Sequence, residues 1–365
     1  MASLNGTFQI DGLRFIDNSH TTNRQLGICS KIVKELKDSQ IPKNILINKL
    51  VNWSAEKERI NKEYFSNRGK ITNGGRPTTA IGHYLNLCDS LGLVSRFNNV
   101  YSSTRIGGVL AYFYDDDLEL NMAEKLFYTF QLLNIDADAL ILILTLLEDR
   151  NQLNQKDFQK EFSQALNDRL EKKRYFSTGS ARFNIAAKLL KVSMIWKNPI
   201  KYAEHMVAPR CEWLKSLGLL NIRKDGASTI YTRNSLGSYL FNQLPEFDNN
   251  LRDVSRQWLE DNFFAVFGSA FNSNAFAINN INEDEVIIDA IKLSFTTIKS
   301  SNTFRLPAFE SFLFICIQAL TKANKIVGFG ELIFAFSQGI KLDNRKLFLK
   351  KGARINESYI SSVLL

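Results

Sequence analysis

Two stretches of this chain, 81–107 and 207–237, carry the same residue pattern, and that pattern leaves few ways to fold. The first runs Ile81, Leu85, Cys88, Leu91-Gly92-Leu93, Tyr101 and Gly107; the second runs Val207, Cys211, Leu214, Leu217-Gly218-Leu219, Tyr231 and Gly237. Apolar residues spaced four, three and three apart fall on one face of a helix. A glycine after the last of them suits a left-handed helix cap. A short polar or basic stretch then leads to an aromatic residue in an expected strand. Each copy therefore predicts a helix, a tight turn and a hairpin.

That order resembles the second half of a winged helix, in which the helix can lie in the major groove of DNA. Charge points the same way. Lys and Arg number 46 against 37 Asp and Glu, a formal charge of +9, which favours polyanionic partners. With 365 residues the chain has room for two or three domains, and 45% hydrophobic residues suffice for their cores. The widely separated Cys29, Cys88, Cys211 and Cys316 read as reduced core residues of a cytoplasmic protein. No apolar run reaches the roughly 18 to 20 residues of a membrane span, so no membrane partner is expected. Met1 to Gly12 carries no secretory pattern.

Along the chain, residues 1–115 form an expected first winged-helix domain. Before its repeat helix lies a basic, hydroxyl-rich loop holding Arg68, Lys70, Arg76, Thr78 and Thr79; either threonine could cap the helix, whose free amides would favour a phosphate. His83 on that helix, with Arg96 and Arg105 beyond it, completes the first set of candidate DNA contacts. Asp115-Asp116-Asp117 lacks a calcium-loop pattern and reads as a solvated linker. Residues 116–250 form the second domain, with strongly apolar helices over 122–133 and 137–147 and a basic middle. Lys172, Lys173, Arg174 and Arg210 precede its hairpin, Arg223 and Lys224 sit at its wing, and Arg233 follows. Residues 251–365 form a helical interaction domain whose winged-helix character stays open, because the Leu-Gly-Leu punctuation is missing. Its helical spacing of Phe263, Phe264, Phe267 and Phe271 marks core or a protein interface, and Arg345, Lys346, Lys350, Lys351 and Arg354 form a basic tail.

Short strings add a family likeness. Ile143-Leu144-Thr145-Leu146-Leu147-Glu148-Asp149, Gln152-Leu153, Lys156-Asp157-Phe158, Lys201-Tyr202-Ala203 and Trp213-Leu214-Lys215-Ser216-Leu217-Gly218-Leu219 resemble the DNA-recognition region of type IIS restriction endonucleases of the FokI class. The likeness covers about 75–240 and implies consecutive winged helices binding double-stranded DNA. Such enzymes continue into a cleavage domain for which this chain shows no counterpart. The resemblance thus implies a separate nuclease, ATPase or methyltransferase partner, as in restriction or anti-phage defence.

No intact catalytic centre is legible, and no cofactor or metal is expected. Glu171-Lys172-Lys173 and Asp284-Glu285 with Asp289 and Lys292 are the nearest strings to a magnesium nuclease motif, and neither sits between convincing strands. His20, His83 and His205 are far apart in the sequence, and no Walker loop, zinc motif or nucleophile elbow occurs. The expectation is a mainly α fold with small β-wings, arranged as two or three tandem winged-helix domains. Two alternatives stay open: a protein-interaction scaffold of a DNA-associated ATPase complex, and a nuclease with an unrecognised centre.

Overall fold

A computed structural model describes residues 11–17, 19–60, 69–195, 198–248, 251–278, 280–281, 284–298 and 305–364. The protein is mainly helical with small sheets. One local order of elements recurs three times.

The first copy runs α1 (Leu26–Leu36), β1 (Gln40–Pro42), α2 (Lys43–Ile60), a small hairpin of β2 (Thr72–Asn73) and β3 (Arg76–Pro77), α3 (Ala80–Ser90), β4 (Val94–Phe97), β5 (Val100–Ser103) and α4 (Arg105–Phe113). Two apolar helices follow, α5 (Met122–Ile135) and α6 (Ala137–Arg150). The second copy begins with α6 and continues through β6 (Gln152–Asn154), α7 (Gln155–Phe176), α8 (Gly179–Leu190), a π-helical turn (Lys191–Ile195), α9 (Pro199–Ser216), β7 (Leu220–Asp225), β8 (Ser228–Arg233) and α10 (Ser235–Gln243). A strand pair, β9 (Glu246–Asp248) and β10 (Leu251–Arg252), leads to α11 (Arg256–Phe271) and β11 (Phe276–Ala277). The third copy holds α12 (Glu285–Thr297), β12 (Arg305–Pro307), α13 (Ala308–Ala323), β13 (Lys325–Ile326), α14 (Phe329–Gln338), β14 (Ile340–Leu342), β15 (Arg345–Lys350) and β16 (Tyr359–Leu364).

In every copy the strand after the first helix pairs with the second strand of the later hairpin, giving the antiparallel orders β1-β5-β4, β6-β8-β7 and β12-β16-β15, the last extended by β14. Each central rung joins two buried side chains: Ile41 with Tyr101, Leu153 with Tyr231, Leu306 with Ile360. Burial of these inward residues is what sets the register.

The chain divides into two compact units. One comprises Met1–Thr21 with Gln131–Leu259; the other comprises Thr22–Phe130 with Glu260–Leu365. These units are interleaved along the chain. The unit holding the first and third copies has an aromatic core in which Phe130 meets Phe263, Phe264, Phe309 and Phe329, with ring centroids 5.1 to 6.3 Å apart. Phe267 is also fully buried, whereas Phe271 is half-exposed.

The other unit is built around buried charge. Arg210 binds both oxygens of Asp136 at 2.7 and 2.8 Å and donates to the Ile16 carbonyl at 2.8 Å and the Ser19 hydroxyl at 2.9 Å. Lys173 lies 2.8 Å from Asp138 and 3.0 Å from Asp253, while Arg14 and Arg169 also contact Asp253. The backbone amide of Arg14 donates to Asp138, and that of Ile16 to Asp136. The network therefore ties residues 14–19 to α6, α7 and α9. Removing one partner of such a set would strand a buried charge.

Candidate nucleic-acid interface

In the two copies that repeat in sequence, the turn from helix to hairpin is built by the same bonds. Leu93 N–H donates to Cys88 C=O at 2.8 Å, and Leu219 N–H to Leu214 C=O at 2.8 Å, closing a six-residue helix cap around Gly92 (φ 68°) and Gly218 (φ 78°). The side chains of Thr104 and Asn234 each donate to the cap glycine's carbonyl at 2.7 Å and accept from the amide of Gly107 or Gly237. A Cβ on Gly107 or Gly237 would stand 2.1 Å from the carbonyl oxygen of Leu93 or Leu219. Only glycine permits that approach. The helix, the hairpin and the following helix are thus locked into one body.

This lock fixes what faces solvent. In α3, Ile81, Tyr84, Leu85 and Cys88 turn inward, leaving Thr79 and Asn86 exposed and His83 half-exposed. Thr78, rather than Thr79, caps the helix: its hydroxyl accepts from Ala80 N–H at 3.3 Å and donates to the Lys70 carbonyl at 2.7 Å. Lys70 itself pairs with Glu58 at 3.2 Å, and Arg76 is exposed on the β2–β3 hairpin. Arg68 lies outside the described residues.

The β4–β5 hairpin turns through Asn98 (φ 46°) and Asn99 (φ 62°), a pair suited to a tight two-residue turn. Arg96 on this hairpin packs over Tyr101 and donates to Asn99 at 2.6 Å, and Phe97 beside it is 78% exposed. The β7–β8 hairpin turns at Gly226 (φ 57°) and presents Arg223 and Lys224 to solvent. Between β15 and β16, the third copy presents Lys350, Lys351 and Arg354. The sequence places these three in a basic tail on an expected closing hairpin of strands 346–349 and 355–360, and the hairpin is present as β15 and β16.

Other candidates divide sharply. Lys172 and Arg105 are exposed; burial raises the Glu310 carboxyl, a rise that its own backbone amide and the Arg105 charge only partly offset. Arg174 is half-exposed and binds Glu171 at 2.6 Å. Arg233 is partly enclosed, paired with Glu148 and packed over Phe241. Lys173 and Arg210 must be withdrawn as surface contacts, since both are fully buried in the charge network. Burial there pushes the Asp138 carboxyl upward, but Lys173 and Arg169 prevail and hold it below its usual range. At Asp136 burial wins over Arg210 and the carboxyl is raised.

Leading carboxylates of the two nuclease-like strings are each engaged locally. Asp284 caps α12, accepting from Val286 and Ile287, and pairs with Lys325 at 2.7 Å; Glu171 is engaged by Arg174. His20 and His205, remote in sequence, bring their ring centroids to 4.9 Å, while His83 is in the other unit. Among the described residues no group of three or more His, Cys, Asp or Glu is placed to hold a metal ion. No single helix among them is long and apolar enough to cross a membrane. Comparison of the chain with protein-family models, curated proteins and solved structures finds no match.

Proposed function

We propose that this chain is a double-stranded DNA-binding protein whose three repeated units are winged helices. One observation carries the reading: three copies of helix, strand, helix, helix and hairpin share one strand order, and each hairpin presents at least one exposed cation. In a winged helix the helix before the hairpin enters the major groove while the wing grips the backbone. On α3 the solvent side offers Thr79, His83 and Asn86 to base edges. Asparagine is the side chain that pairs bidentately with adenine. Arg96, Arg223, Lys224, Lys350, Lys351 and Arg354 then supply phosphate attraction.

The likeness to type IIS recognition regions supports a recognition subunit working with a nuclease, ATPase or methyltransferase in restriction or anti-phage defence, in the cytoplasm. The scaffold reading has its own support in α14, whose exposed face shows Glu331 and Phe334, the latter 69% exposed, and no cation. The third copy would then hold DNA by its wing alone. Anisotropy titrations of a mixed-sequence duplex against salt test the proposal. Replacing Arg223 and Lys224 by Ala should lower the slope of log K against log salt by about 0.9 per lost phosphate contact. An unchanged slope for this variant and for Arg96→Ala would count against wings on DNA.

A further inference from the structure

The second copy contains a helix that its own fold barely uses. In α8 only Ile185 and Lys188 are buried, whereas Phe183 is 73% exposed and Leu190 54% exposed. With Ala187 between them and Met194 in the π-helical turn, 75% exposed, these side chains recur at intervals of four, three and four residues. That is the spacing of a helix seam that receives another helix. Tyr175, 80% exposed at the end of the adjoining α7, adds an aromatic edge. The third copy joins its corresponding helices, α13 and α14, through residues 324–328 alone, so α8 is an addition to the shared plan.

Charge selects the occupant. Residues 172–201 hold eight Lys and Arg and no Asp or Glu. Lys188 and Lys191 are answered by Asp17, which leaves Lys172, Arg182 and Lys201 exposed in the same stretch of chain as the apolar residues. A second copy of the chain would bring cations against cations. A duplex would satisfy the cations but leave Phe183, Leu190 and Met194 against a polar surface. A helix with an apolar stripe flanked by carboxylates meets both requirements.

We propose that the α8 face docks an acidic amphipathic helix of a partner protein. The test is a displayed library of helices about four heptads long, with apolar a and d positions and randomised e and g positions, selected on the full-length chain. Binding of a mixed-sequence duplex and of phosphatidylcholine vesicles containing phosphatidylserine is measured in parallel. Selection should enrich Asp and Glu at e and g. Affinity for the winners should fall about tenfold or more in Phe183→Ser and Leu190→Ser, and also fall in Arg182→Glu, with circular dichroism and duplex binding unchanged. The inference is overturned if no acidic helix is enriched or if the selected helices ignore these substitutions. It is equally overturned if Phe183→Ser instead abolishes vesicle binding, duplex binding or self-association in sedimentation.

Discussion

Adjacent glycines in α4 should respond oppositely to the same substitution. At Gly107 an added Cβ would meet Leu93 O at 2.1 Å and Ser103 Oγ at 2.7 Å, whereas at Gly108 nothing lies within 4 Å. Relieving the first contact requires α4 to move off the turn, which stretches the Thr104 amide bond to Leu93 O, now 3.0 Å. Overpacking of this kind costs about 1 to 3 kcal/mol and a weakened hydrogen bond about 1 more. Ala in place of Gly in a helix returns about 1 kcal/mol. Gly107→Ala should therefore lose about 2 kcal/mol, and Gly108→Ala should gain up to about 1. Hydrogen exchange by mass spectrometry over residues 93–113 reads both locally, and the two variants should differ roughly a hundredfold in amide protection. Equal or greater protection in Gly107→Ala would refute the lock between turn and helix. Gly237, with its matching approach to Leu219, should behave as Gly107 does.

Glu124 is fully buried and its carboxyl is raised from 4.5 to about 7, chiefly by burial. The folded state thus holds a proton that the unfolded chain releases between these values, so stability falls as pH rises through that window, by about 3 kcal/mol at most. Urea unfolding at pH 5 and pH 8 should show this loss in the parent and much less of it in Glu124→Gln. Arg210→Met should cost about 3 to 5 kcal/mol by leaving Asp136 buried and unpaired, with Asp136→Asn partly restoring the double variant in the same assay. Cys29, Cys88, Cys211 and Cys316 are free and buried, so a thiol reagent should label them only in denaturant; rapid labelling of the native chain would contradict their burial.

Much of the first two copies was legible because their signals are local. Leu91-Gly92-Leu93 and Leu217-Gly218-Leu219 sit next to the helices they end, and Tyr101 and Tyr231 mark the strands that face the core. The helix and closing hairpin of the third copy were legible, but its match to the other two stayed open because its helix ends differently: Gly339 (φ 89°) leads into the extra strand β14 before the hairpin, and a short 3-10 turn at Ile355–Glu357 interrupts the approach to β16. Lys173 and Arg210 were misread as surface cations because Asp138 and Asp136 lie 35 and 74 residues away in sequence. A signal was present nevertheless. Two carboxylates, Asp136 just before α6 and Asp138 in its first turn, stand at the junction of two strongly apolar helices, and carboxylates buried there need cations. Thr78 outcompetes Thr79 as the cap because its hydroxyl also reaches the Lys70 carbonyl, a contact set by loop geometry.

Binding of the full-length chain to a mixed-sequence duplex at 50 and 200 mM salt tests the DNA reading most directly. Tandem wings on phosphates predict clear binding at the lower concentration and a fall of about a thousandfold or more at the higher if six phosphates are neutralised. Absence of binding at 50 mM salt, or binding indifferent to salt, would contradict it.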